Sequence, residues 1–185
     1  MDEQNNKNNK LAKTLHKVEE AKRKLDYEVG TLISPDGKII KKYIGGAHNI
    51  SIPVTDKWLF EGNIFTHNQP GGRTFTVQDI LRFIDYKLYE ARISTPQGMF
   101  FSLRESDWEV NRAIGNVMKE EKIGDKMKAM YIVQDGIIEG KYLYDIIEKE
   151  KEHTSLIYDI MADEVDKWLI ENTEEFGYIY AKGVL

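Results

Sequence analysis

The stretch 63–81, NIFTHNQPGGRTFTVQDIL, constrains the fold of this chain more than any other. Ile64 and Phe65 read as a short buried strand, residues 67–74 as a polar turn, and Thr76 as the cap of an amphipathic helix. Ile80, Leu81, Ile84 and Leu88 recur at helical spacing, which predicts a helix over 76–90. The turn gathers two candidate metal ligands, His67 and Asp79, with the amide of Gln69 and the hydroxyl of Thr76. Asp79 falls in the first helical turn, where the helix dipole favours a carboxylate and the side chain can point back toward His67.

Around this unit the chain reads as hairpins. Residues 27–33 (YEVGTLI) are β-branched and apolar, Ser34-Pro35-Asp36-Gly37 follows as a turn, and 38–44 returns as a strand. Residues 55–62 read as a short helix, capped by Thr55 or Asp56, that carries Trp58, Leu59 and Phe60 into the core. Residues 91–95 and 99–103 flank Pro96-Gln97-Gly98 as a second hairpin. The expected fold is α/β, a mixed sheet of about five strands flanked by helices, with the 76–90 helix across it and a helical C-terminal half.

The organisation is threefold. Residues 1–26 form a polar, Asn-rich, disordered tail (1–9) and an amphipathic helix whose narrow stripe is Leu11, Leu15, Val18, Ala21 and Leu25; His16 lies off that stripe, as a solvated residue. Residues 27–105 form the α/β core. Residues 106–185 form a helical region that packs on the core or on a partner, with Leu156, Ile157, Ile160, Met161, Val165, Trp168 and Leu169 on one broad apolar face and a last strand over 176–181. The two apolar faces together favour a homodimer formed partly by helices.

Composition removes several function classes. Twenty-six basic and 31 acidic residues give a net charge of −5 with no basic face, so nucleic acid is not the expected partner. The absence of cysteine rules out disulfides, zinc fingers and a thiolate nucleophile. No run approaches 18 apolar residues and the N-terminus lacks the apolar core of a secretory signal, so no membrane is expected and the cytoplasm is the expected compartment. No phosphate-binding glycine loop or nucleophile-elbow motif is present.

His67-Asn68-Gln69-Pro70, five further residues, then Thr76-x-x-Asp79 resembles the JAB/MPN (JAMM) metalloprotease-like signature H-x-H-P, spacer, S-x-x-D. It is most similar to the variant in phage head-morphogenesis proteins. The resemblance spans about residues 27–105, somewhat less than half of the 185-residue chain. It implies JAB/MPN-like, cytidine-deaminase-like layering and a phage or mobile-element origin, with the host cytoplasm as compartment. In that family two histidines and the aspartate bind zinc, an upstream glutamate acts as base and the serine helps stabilise the oxyanion. By position the metal ligands are His67, Asp79 and, where the second histidine would stand, Gln69. The catalytic counterparts are Glu28 for the glutamate and Thr76 for the serine.

Gln69 decides the expectation. A neutral amide oxygen is a poor ligand for a borderline-soft ion, and a zinc hydrolase requires three protein ligands and an open position. The expectation is a degenerate site without a cofactor, zinc being the one metal the pattern suits, on a non-hydrolytic module that binds a protein partner. Two alternatives stand beside it: a zinc-dependent peptidase or isopeptidase with an altered ligand set, and a phage head-morphogenesis protein. His48, in an irregular connection, could supply the nitrogen ligand missing at position 69, although a loop histidine is more often a surface residue.

Overall fold

The structure, a computed structural model, describes residues 2–105, 162, 163, 165–167, 169–171 and 178–185. Its elements are α1 (Asp2–Lys22), β1 (Val29–Ile33), β2 (Ile39–Ile44), a 3-10 turn (Val54–Leu59), β3 (Ile64–Asn68), α2 (Val77–Asp85), β4 (Glu90–Ser94), β5 (Met99–Glu105) and β6 (Tyr178–Val184). The strands form one six-stranded sheet in the order β2-β1-β3-β4-β5-β6. Among the described strands only β3 and β4 run parallel, Ile64 beside Glu90 through Asn68 beside Ser94, and α2 is the crossover between them. Every other pair is antiparallel. The fold is therefore α/β with a mixed sheet.

Both hairpin turns follow from their glycines. Gly37 (φ 80°) and Gly98 (φ 84°) occupy the left-handed region that other residues avoid. Their amides close the turns onto Ser34 O at 2.8 Å and Thr95 O at 3.0 Å.

The sheet is covered on both faces. On one, Phe60, Phe65, Phe75, Phe83, Ile93 and Leu103 form the main core beneath α2, joined by Val165 and Leu169 from the helical residues between 162 and 171. On the other, Leu11, Leu15 and Val18 of α1 pack on Ile33 and Ile64. The stripe of α1 is thus docked on its own domain.

Four expectations are corrected. The first nine residues were expected to be disordered, whereas α1 begins at Asp2; once the docked turns have nucleated a helix, its extension costs little per residue. Ala21 is exposed, and the helix buries Glu19 and Lys22 instead. Trp58 is 75% exposed, because the expected 55–62 helix is a 3-10 turn over Val54–Leu59 that puts Asp56 inward, with Phe60 buried just after it; its cap is Pro53, without a side-chain bond.

The fourth correction concerns α2, which ends at Asp85 rather than at 90. Lys87, with φ of 51°, takes the place a glycine usually holds after a helix. The Leu88 amide then bonds back to Phe83 O at 3.1 Å. Leu88 still reaches the core, 1% exposed, from outside the helix.

The helices expected between 106 and 161 and most of the broad face around Trp168 lie outside the described residues. Val165 and Leu169 of that face are buried against the sheet.

Candidate functional site

The site lies at the carboxyl ends of the two parallel strands, at the turn that leads from β3 into α2. Alternation along β3 sends Phe65 and His67 to the α2 face and Thr66 and Asn68 to the α1 face. Asn68 fixes the adjoining chain. Its Oδ1 accepts from the Val29 amide at 2.6 Å, and its Nδ2 donates to Tyr27 O at 2.8 Å. The start of β1, with Glu28, is thereby tied to the end of β3.

The turn after β3 is anchored by the Gln69 amide to Ser94 O at 2.9 Å and closed by the Gly72 amide on Gln69 O at 2.9 Å. At the head of α2 Thr76 and Asp79 form a reciprocal cap. Asp79 Oδ2 accepts from the Thr76 amide at 2.9 Å and from Thr76 Oγ1 at 2.7 Å, while the Asp79 amide donates to Thr76 Oγ1 at 3.2 Å.

The other oxygen of Asp79, Oδ1, faces two groups: His67 Nε2 at 3.7 Å and Arg82 Nη1 at 3.9 Å. His67 is 5% exposed and stacks on Phe65. Burial pushes its pKa below the usual value, against the pull of Asp79. At neutral pH it is a neutral imidazole. Glu28 is 6% exposed, and burial, reinforced by the Asp79 charge and opposed by Arg82, lifts its carboxyl to about 7. The backbone of Glu28 continues the β1–β2 ladder, its amide bonded to Gly46 O and its carbonyl to the Gly45 amide, both at 2.8 Å.

No family model matches the chain, and no curated protein or solved structure does either.

Three of the residues named from sequence meet, His67, Thr76 and Asp79, while Glu28 feels the charges of Asp79 and Arg82. Gln69 sits half-buried on the turn, and His48 is exposed in the loop after β2. Sequence reasoning missed Arg82, whose signal was the three-residue spacing from Asp79 on one helix. It also missed the polar layer beneath α1. There Glu19 accepts from Thr66 Oγ1 at 2.9 Å and from Arg92 Nε at 2.7 Å, Lys22 Nζ donates to Thr66 O at 2.5 Å, and Glu90 accepts from Arg92 at 2.9 Å and Ser102 at 2.6 Å.

The donor set does not fit zinc. Tetrahedral bonds of about 2.0–2.1 Å put two ligand atoms roughly 3.3 Å apart, so the 3.7 Å between His67 Nε2 and Asp79 Oδ1 is only slightly wide. Yet Asp79 Oδ2 is already held by Thr76, a guanidinium faces Oδ1, and position 69 offers an amide. Among the described residues no three His, Asp or Glu side chains are grouped to hold a metal ion. What the arrangement presents is an imidazole that burial keeps from charging, a carboxylate held by Thr76, a guanidinium, and a carboxyl whose pKa burial lifts to about 7. That set donates and accepts hydrogen bonds in a partly dry site.

Proposed function

We propose that the chain is a JAB-like module of phage or mobile-element origin whose metal site has degenerated, and that it binds a protein partner without hydrolysing it. The observation that carries this reading is the meeting of His67 and Asp79, 3.7 Å apart at the parallel-strand ends, with Thr76 bonded to Asp79, Glu28 within reach of the Asp79 charge, and no third ligand among the described residues. The convergence of a strand histidine, a helix-cap pair and an upstream glutamate is what the H-x-x-P and T-x-x-D stretch implies. The amide at 69 and the cation at 82 account for the loss of chemistry, because zinc must be held by three ligands before it can activate water.

Metal analysis of protein purified without chelator, together with an isopeptidase and peptidase assay in added zinc, tests the reading. Substoichiometric zinc and no zinc-dependent cleavage are expected. Stoichiometric zinc lost on Asp79→Ala, with cleavage, would establish the altered-ligand peptidase instead.

A further inference from the structure

Arg82 is the one site residue that the H-x-x-P and T-x-x-D stretch does not account for. Its guanidinium approaches Asp79 Oδ1 at 3.9 Å, the same oxygen that His67 Nε2 approaches at 3.7 Å. The Asp79 side chain is 12% exposed and that of Arg82 26%, so the pair is not a freely solvated surface contact. Asp79 Oδ2 turns away to Thr76, which leaves Oδ1 as the atom that both the imidazole and the guanidinium address. Two acids, Glu28 and Asp79, share this space, and the positive charge of Arg82 acts on both, as it acts on His67.

We infer that Arg82 supplies the positive charge that a metal ion would otherwise bring to this site, and that it bars divalent cations independently of Gln69. The inference rests on the degenerate-site reading above and deepens it. A cation between His67 Nε2 and Asp79 Oδ1 would lie beside a guanidinium, in a setting where burial weakens the screening of like charges. A guanidinium, unlike an amine, does not yield its place to a metal ion by losing a proton. Restoring the histidine at position 69 therefore rebuilds the ligand set without freeing the place a metal would fill.

The test is zinc titration by calorimetry of the full chain as parent, Gln69→His, Gln69→His/Arg82→Gln and Gln69→His/Arg82→Lys, each checked for fold by circular dichroism. The expected order is no stoichiometric binding by the parent, weak binding by Gln69→His, and binding at least tenfold tighter by the Arg82→Gln double variant. The Arg82→Lys variant keeps the charge and stays within about threefold of Gln69→His; this separates charge from packing. Should Arg82→Gln fail to fold, Arg82→Met takes its place, keeping the apolar stem.

Equal zinc affinity in Gln69→His and the Arg82→Gln double variant overturns the role of Arg82 while leaving the degenerate-site reading intact. Equal gains from Arg82→Gln and Arg82→Lys overturn it as well, since charge is then not the cause. Stoichiometric zinc in the parent, or none in any variant, overturns the underlying reading instead.

Discussion

Glu19 of α1 grips the guanidinium of Arg92 on β4 through both carboxylate oxygens, Nε to Oε1 at 2.7 Å and Nη2 to Oε2 at 3.1 Å, and the glutamate itself is fully buried. Two parallel N–H···O bonds make this the geometrically specific form of the pair. It pins the helix to the centre of the sheet, beyond what Leu11, Leu15 and Val18 provide.

Removing one partner of such a pair leaves a buried charge uncompensated, which costs about 3–5 kcal/mol. Glu19→Ala is therefore expected to lose about that much stability in urea denaturation and to expose the amides of α1 to hydrogen exchange. A loss below about 1 kcal/mol would mean that the pair is solvated and that α1 is held by its apolar stripe alone.

Lys22 makes the same layer sensitive to pH. Burial drives its pKa from 10.5 down to about 7; Glu19 opposes the shift, and Arg92 and Lys42 add to it. Because the folded value is the lower one, the unfolded chain binds the extra proton between about 7 and 10.5, and stability rises with pH across that window. The cost of the charged form is complete below about 7, roughly 5 kcal/mol as an upper bound from the shift, and has vanished above 10.5. Lys22→Met forfeits the bonds to Thr66 but cannot charge. The stability of the variant relative to the parent should be greatest at pH 6 and decline steadily toward pH 10. A difference that is flat with pH would show that Lys22 is hydrated in solution.

The cap of α2 carries a smaller prediction. Thr76→Ala removes the acceptor of the Asp79 amide and one of the two donors to Asp79 Oδ2, and should cost about 1 kcal/mol, whereas Thr76→Ser should be close to neutral. Both are measurable as shifts in urea midpoint at an unchanged denaturant slope. An equal loss in the two variants would point to the methyl group rather than the cap.

Local chemistry was legible in this sequence wherever one residue type carries it. The glycines at 37 and 98 announce their turns, the Thr76-x-x-Asp79 spacing announces the cap, and the 63–81 stretch announces the strand-to-helix unit that brings His67 and Asp79 together. The end of α2 was not legible, because a lysine takes the left-handed position and Leu88 keeps helical spacing while leaving the helix. Trp58 misled because a 3-10 turn rotates side chains by a different period from an α-helix. The polar layer was hidden for a different reason. Glu19 and Lys22 look like solvated helix residues until Arg92 and Thr66, more than 40 residues away, arrive opposite them. Arg82 carried no sequence signal beyond its three-residue spacing from Asp79.

The last prediction joins the strand register to the site. Gly30 lies across from His67 in the β1–β3 ladder, and the Phe65 ring covers it. A Cβ at position 30 would stand 2.4 Å from Phe65 Cζ and 2.7 Å from Cε2, closer than any real contact, so the ring must move. The ring is not free to do so: it is 3% exposed, it packs against Phe60 and Tyr43, and the His67 imidazole stacks on it. Overpacking of this kind costs about 1–3 kcal/mol. Gly30→Ala should therefore destabilise the protein in that range by urea denaturation, despite the β-strand context in which alanine ordinarily replaces glycine at a small gain. Phe65→Leu in the same chain removes the ring edge that clashes, so adding Gly30→Ala to Phe65→Leu should cost at least 1 kcal/mol less than adding it to the parent. If the two costs are equal, the glycine is required by the backbone of β1 and not by the ring, and the coupling from β1 to His67 through Phe65 does not exist.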